Sequence, residues 1–440
     1  MLLASQEWGH TLVEVPYRKY DIPTFDTLIQ RRTLLTLGAG LALGGCGAAV
    51  PGLRWWAIGA LGENAPELLP AFRTATGVAV EVQALPWTGA HEKLLTGFAG
   101  NSLPDVMMLN SAWLPELTLI GAVAPPAARS SLLADHVAGA VASVEVAGRA
   151  MAVPWTADSW VQFYRRDLLA AAGYAAPPLV WSEWMQMARA IKRRQPDRFA
   201  TLHLLDWPEP LFAFAAQQGV PFLRDHATRG NFSSDGFRTA LGFYKGIFDE
   251  RLAPVTTGAE AGDTYVAWRH GRFAILPSNA TSIGDLRRRT TLLPHDLWDV
   301  ALTPGPRGAG AAMARGTSLA VSHAARDPAA AWALIRYLCD PAIQRRVYDI
   351  TGDLPTRRSA WRMPEMRTNP VSATFATQIA HSVAPPAVPE WERIVAEVQL
   401  VAEHMVRGDY GVEAATVEMD KRVDRILEKR RWLAERGRAA

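Results

Sequence analysis

The chain has 440 residues, 49% of them hydrophobic and 20% charged, with a net charge of +3 from 46 basic and 43 acidic side chains. That length and apolar content allow two or three domains with ordinary cores. The near balance of charge argues against nucleic acid or an acidic polymer as partner.

In chain order, the first feature is an export signal. Arg31-Arg32 precedes a short apolar run that ends in Leu43-Gly44-Gly45-Cys46. A twin arginine marks the bacterial Tat export route, and small residues before a cysteine resemble a lipobox that would make Cys46 the lipid-carrying first residue. The run is well short of the roughly 20 residues that span a bilayer. Residues 1–45 are therefore read as leader and export signal, although Glu7, Glu14, Asp21 and Asp26 make the leading part unusually long and acidic. The mature protein is expected in the periplasm or at the cell exterior, anchored by lipid. Gly38, Gly40 and Gly44 have the wrong spacing for a dinucleotide fingerprint, and no strand precedes them.

From residue 53 the pattern is βαβαβ. Strands are predicted at 53–59, 78–85 and 104–109, with helices at 65–76 and 90–99 between them, which implies a parallel sheet covered by helices. In such sheets ligands bind beyond the carboxyl ends of the strands, where Trp87, Asn110, Ser111, Trp113 and the 59–63 turn fall. Further strands are predicted at 148–154, 159–164 and 317–322. Helices follow at 167–172, 181–193, 210–218, 234–250, 264–271, 328–339 and 341–348, and one long amphipathic helix at 412–432.

Sixteen tryptophans are many for this length. Trp87, Trp113, Trp155, Trp207, Trp298 and Trp391 stand within two residues of Pro, Gly, Asn or Asp, a setting of loops and element ends. A flat ring there suits stacking on the apolar C–H face of a sugar. Trp55, Trp56, Trp184, Trp268 and Trp332 lie in apolar periodic runs and read as core. Cys339, the one cysteine besides Cys46, reads as a buried hydrophobe with no disulfide partner.

Enzyme and metal signatures are not found. His91-Glu92 is followed by Leu95 where a metalloprotease helix needs a second histidine. The ten histidines show no metal spacing, and there is neither a phosphate loop nor a nucleophile elbow. Neither a cofactor nor a metal is expected.

Several segments in the right order resemble one family. They are Gln83 to Leu94, Leu103-Pro104-Asp105-Val106, Trp113 to Leu117, Val153-Pro154-Trp155 with Tyr164 to Leu169, Gly271 to Ile275, Ala331 to Gln344, Gly352 to Arg357, and Glu428 to Trp432. Together they are similar to the sugar-binding solute-binding proteins of bacterial ABC importers, the maltose- and trehalose-binding cluster. The resemblance spans about residues 53–432. It implies an α/β type II periplasmic-binding-protein fold, with two hinged lobes that enclose a ligand and do no chemistry on it. The lobes would be 51–155 plus 298–348 and 156–297 plus 349–440. It also implies a sugar ligand, two permease subunits as partners, and a monomer.

By position in this family, Trp87, Asn110, Trp113, Trp155, Asp158, Trp207, Glu209, Asn279, Arg315, Gly316 and Arg357 would face the ligand. The carboxylates would take charge-assisted hydrogen bonds from hydroxyls. The chain departs from the maltose binder at three places, with Thr281 for a stacking tryptophan, Arg315-Gly316 for Gly-Gly, and Leu211 after Glu209-Pro210 for tyrosine. Arg315 and Arg357 leave open a glycerol-phosphate or glycerophosphodiester binder in the same fold. Asp158 and Glu209 leave open a glycosidase pair.

Overall fold

A computed structural model of the chain describes residues 52–126, 132–289 and 293–437. Arg31, Arg32 and Cys46, and with them the export-signal reading, lie outside the described residues. Among the described residues no helix is long and apolar enough to cross a membrane.

The first sheet holds seven strands: β1 (Leu53–Ile58), β2 (Val80–Leu85), β3 (Val106–Asn110), β4 (Val123–Ala124), β5 (Val153–Asp158), and two introduced by the chain much later. The second holds β6 (Val161–Arg165), β7 (Phe199–Thr201), β8 (Phe273–Ser278) and β9 (Trp298–Ala301). The late strands of the first sheet are β10 (Arg315–Ser322) and β11 (Leu354–Pro355). The order across the first sheet is β11-β5-β10-β3-β1-β2, with β4 beside β10, and across the second β9-β6-β8-β7. As the βαβαβ pattern predicts, β1 pairs parallel with β2 and β3. β1 and β3 are buried along almost their whole length, whereas the edge strand β2 exposes Glu81 and Gln83. That contrast is expected between a strand covered on both faces and one at the rim.

The chain crosses between sheets at β5 to β6, through Ser159-Trp160, and again from β9 to β10. β5 and β10 are antiparallel neighbours, so the two crossings run side by side. Each sheet has its own hydrophobic core, one around Trp55, Met107, Trp155 and Leu334, the other around Trp184, Phe237, Ile275 and Ile394. A third cluster, containing Trp268, Tyr348 and Phe375, packs beside the second sheet.

The expected lobe boundaries differ from the strand assignment at two points. Trp298–Ala301 pairs with β6 in the second sheet, and Leu354–Pro355 pairs with β5 in the first. The first sheet therefore gains its last strand after the helix Pro341–Thr351, because Leu354 is apolar enough to be wholly buried there. The C-terminal helix is divided at Leu427 into Val412–Ile426 and Glu428–Ala434. Cys339 is buried among the first core, and burial pushes its thiol up to about 12.

Candidate interlobe site

Where β5 and β10 leave the first sheet, Asp158 and Arg315 are cross-strand partners. The Arg315 guanidinium forms an ion pair with Glu209, the first residue of the helix Glu209–Ala216. Asp158 accepts the Ala280 backbone N–H at 3.0 Å, at the start of the helix Thr281–Arg288. Burial raises its pKa to about 6, against the opposing effects of Arg315 and the backbone N–H groups of Ala280 and Ser159. One arginine thus stands beside two carboxylates contributed by different parts of the chain.

A cavity of about 770 Å³ lies against these strands. Its polar end includes Asn110, Ser111, Thr156, Asp158 and Arg315. Its other walls are the helix Ala138–Ala142, the helix Pro370–Ala380 and the segment 384–387, mostly alanine and proline. Asn110 ends β3 and turns the chain by accepting the Ala112 N–H at 3.1 Å. Gly316 also lines the cavity, but its lack of a side chain has a different cause. A Cβ there would sit 2.5 Å from the Thr156 carbonyl oxygen, so the close approach of β5 requires glycine.

A second group of residues meets near Arg315. Trp113 is buried, edge-on to Trp87 at 6.2 Å and tilted over His91 at 5.0 Å. His91 Nε2 is 2.8 Å from Glu116 Oε2. Glu392, at the start of the helix Trp391–Arg407, has its pKa raised by burial and lowered in part by His91 and Arg315. The helix carrying Glu392 packs in the second core, whereas Trp113 belongs to the first. The charges of Glu392 and the His91–Glu116 pair therefore meet between the two cores.

Of the residues expected to face a ligand, Asn110, Asp158, Arg315 and Gly316 line the cavity, and Glu209 joins them through Arg315. Trp87 is 41% exposed and packs on Gly59, where φ is +57° and a Cβ would lie 2.6 Å from the indole nitrogen. Trp207 stands edge-on to Trp160 at 5.2 Å, just beyond the first crossing. The side-chain oxygen of Asn279 accepts the Thr281 hydroxyl at 2.6 Å, next to the Ala280 N–H that Asp158 holds.

Trp87, Trp113, Trp207 and Asn279 are not among the residues lining the cavity, and Trp155 and Arg357 are engaged elsewhere in the first lobe. Trp155 is 0% exposed in the first core, donates its indole N–H to the Leu338 carbonyl at 3.1 Å, and packs edge-on to Trp55 at 5.6 Å. It follows Pro154, which suggested a loop, but β5 continues through both residues. Arg357 gives its backbone N–H to Gln344 at 2.9 Å and directs its guanidinium to Asp135 at 3.4 Å. It does not line the cavity.

Sequence reading missed Glu392, the His91–Glu116 pair and Trp160. Trp160 had a visible signal, since it follows Asp158 by two residues in the crossover; its buried indole N–H has no partner among the described residues. Glu392 gave none, being one acid in an amphipathic helix. Among the described residues no group of three or more histidine, cysteine or acidic side chains is placed to hold a metal.

Two α/β lobes, joined by adjacent crossing strands and flanking a cavity, define a type II periplasmic-binding-protein fold. The chain belongs to the bacterial extracellular solute-binding proteins, whose family model matches residues 58–345. The structure is similar to that of the sugar-binding protein MalE from Xanthomonas citri, with 40% identity, a TM-score of 0.80, and coverage of 87% of this chain and 99% of that one. It also resembles the GacH receptor of Streptomyces glaucescens at 21% identity and a TM-score of 0.78, covering 86% and 98% of the two chains, a likeness of fold. In sequence it is 29% identical over 354 residues to an uncharacterized lipoprotein from the oleD 5' region of Streptomyces antibioticus, covering 73% of this chain and 75% of that one. The chain is the substrate-binding component of an ABC importer.

Proposed function

We propose that this protein captures a small neutral sugar or oligosaccharide between its lobes and presents it unchanged to an ABC permease. The observation that carries the reading is the Asp158–Arg315–Glu209 constellation beside the crossing strands. A guanidinium held between carboxylates fixes directional donors and acceptors while leaving little net positive charge. Hydroxyl groups suit such a site, since each can donate to a carboxylate oxygen and accept from a nitrogen. Likeness to the Xanthomonas citri sugar-binding protein supports the same class.

A phosphate ligand would need cations free to meet it. Arg315 is engaged by Glu209, and Arg357 by Asp135 outside the cavity. Of the other lining arginines, Arg358 is held by the Ala134 carbonyl and Asp135, while Arg367 is the cation left among the described residues to meet an anion. Beside the Asp158–Arg315–Glu209 group itself, the neutral sugar is favoured over a glycerol-phosphate or glycerophosphodiester. Asp158 and Glu209 share one arginine instead of facing each other across a glycosidic bond, so binding without hydrolysis is the preferred reading. The test is a thermal-shift panel of trehalose, maltose, sucrose, longer glucans, mannosides and glycerol phosphates, with aryl glycosides assayed for turnover. A ligand at 100 times its Kd adds about 2.7 kcal/mol of stability. A neutral sugar that shifts the transition supports the proposal. A shift with phosphates alone, or turnover lost in Asp158→Asn, overturns it.

The proposal includes export through the Arg31-Arg32 signal, lipid anchoring at Cys46, and action as a monomer. Likeness to a Streptomyces lipoprotein supports the anchor.

A further inference from the structure

The cavity beside the crossing strands is chemically two-sided. At one end Asn110, Ser111, Asp158 and Arg315 offer hydrogen-bonding groups. The Asn110 side-chain N–H groups and the Ser111 hydroxyl make no bond to a described residue in the structure.

At the other end, polar side chains in the lining are already used by the protein. Ser143 donates to the Ala140 carbonyl at 2.8 Å, and the Ser372 hydroxyl is 2.8 Å from that of Tyr348. Ser382 donates to the Gln378 carbonyl at 2.9 Å and lies 2.8 Å from the Ser159 hydroxyl. Arg358 donates to the Ala134 carbonyl at 2.7 Å. What remains along these walls is mostly carbon, from Ala140 and from Ala376, Ile379, Pro385 and Pro386, with Glu145 and Arg367 the other charged side chains of the lining.

A plain sugar is poorly matched to such a wall, because each hydroxyl moved against it loses a water partner and gains none. An aliphatic or aromatic group is well matched, since it gains by leaving water. At about 770 Å³ the space is within the range that holds ligands of drug size. Resting on the carbohydrate reading above, we infer that the physiological ligand is an amphiphilic glycoside. Its sugar sits at the Asn110–Asp158–Arg315 end and its apolar aglycone lies along the alanine–proline walls.

The test is calorimetric titration of the full chain carrying Cys46→Ser with matched pairs: glucose and hexyl glucoside, maltose and hexyl maltoside, each below its micellar concentration. Hexyl phosphocholine serves as a chain without a sugar. Each buried methylene is worth about a fourfold gain in affinity, so a partly buried chain gives at least about a tenfold gain over the parent sugar. Ala376→Asp and, on another helix of the lining, Ala140→Asp are expected to remove that gain, read in each variant as the ratio of its affinity for the hexyl glycoside to that for the parent sugar. Both alanines are partly exposed, so either variant reports even if the other folds poorly.

A parent sugar that binds with no gain from its chain overturns the inference and leaves the carbohydrate reading standing. Equal binding of hexyl phosphocholine and the hexyl glycosides overturns both, as the head would then go unread. Silence from all five probes overturns the inference, while the wider sugar panel still judges the function.

Discussion

Arg315 and Asp158 face each other across the two strands that carry the chain between its lobes, and the same Arg315 is paired to Glu209. Removing the guanidinium leaves two carboxylates with no shared counter-ion. The Arg315 and Glu209 side chains are 28% and 17% exposed, so solvent screens part of the loss and the cost is well below that of breaking a fully buried pair. Arg315→Met is expected to lower stability by about 1–2 kcal/mol, a fall in Tm of a few degrees by calorimetry. Sugar affinity is expected to fall by at least about tenfold.

Trp155 separates a core role from a ligand role. Trp155→Ala removes a wholly buried indole that packs on Trp55, together with the bond to Leu338, and is expected to destabilise the fold by about 3–5 kcal/mol. Denaturant titration measures that loss. In protein that still folds at low temperature, ligand affinity should stay within about threefold of wild type. Trp87→Ala is expected to behave oppositely, with a larger loss of affinity than of stability, since Trp87 is 41% exposed and stands edge-on to Trp113.

Stability should depend on pH through two buried carboxylates. Burial raises Asp158 to about 6 and Asp353 to about 7, from an ordinary value of 3.8. At these two sites the folded state holds more protons than the unfolded chain between about pH 4 and 7, which lowers stability as pH rises. Burial also lowers His136 to about 4 and His203 to about 3, so below about pH 6.5 the unfolded chain holds more protons at the histidines and the two effects oppose each other. Asp105 works in the other direction. Its burial opposes ionisation, but hydrogen bonds from Arg326 and Arg54 hold its pKa below 3.8, and the stability this gives is lost as pH falls below about 4. Tm measured from pH 4 to 8 should be nearly flat between about pH 5 and 6.5 and fall on the alkaline side, where only the two carboxylates still titrate. Asp353→Asn should raise Tm at pH 8 and flatten the alkaline side, because the buried Asp353 Oδ2 has no partner to lose.

Ligand affinity should rise with pH over the same window. A carboxylate accepts hydroxyl donors best when ionised, so Kd for a bound sugar should decrease as pH rises from 5 to 7. Asp158→Asn should abolish most of that dependence, read by calorimetric titration at several pH values.

The proposed lipid anchor gives a cellular prediction. If Cys46 is acylated, the protein should partition with membranes and its mature mass should carry the lipid. Cys46→Ala should move it to the soluble exported fraction and remove that mass, while leaving ligand affinity unchanged.

The sequence by itself determined the α/β architecture and the family. The runs that became β1, β2 and β3 are periodic and separated by amphipathic helices, and such patterns report burial locally. Asn110 was legible for the same reason, since strand ends in a parallel sheet have a fixed topological meaning, and Asp158 was legible through the family resemblance at the crossover. Only the tertiary structure decided which tryptophans face outward. A proline neighbour is equally compatible with a loop tip and with a strand such as β5, so Trp155 after Pro154 and Trp87 after Pro86 look alike in sequence, while the first is wholly buried and the second 41% exposed. Only the tertiary structure gave Arg315 to Glu209, Arg357 to Asp135, and Glu392 to the space beside Trp113. These partners are distant in the chain, and nothing in the local spacing of charged residues records which of them the fold will bring together.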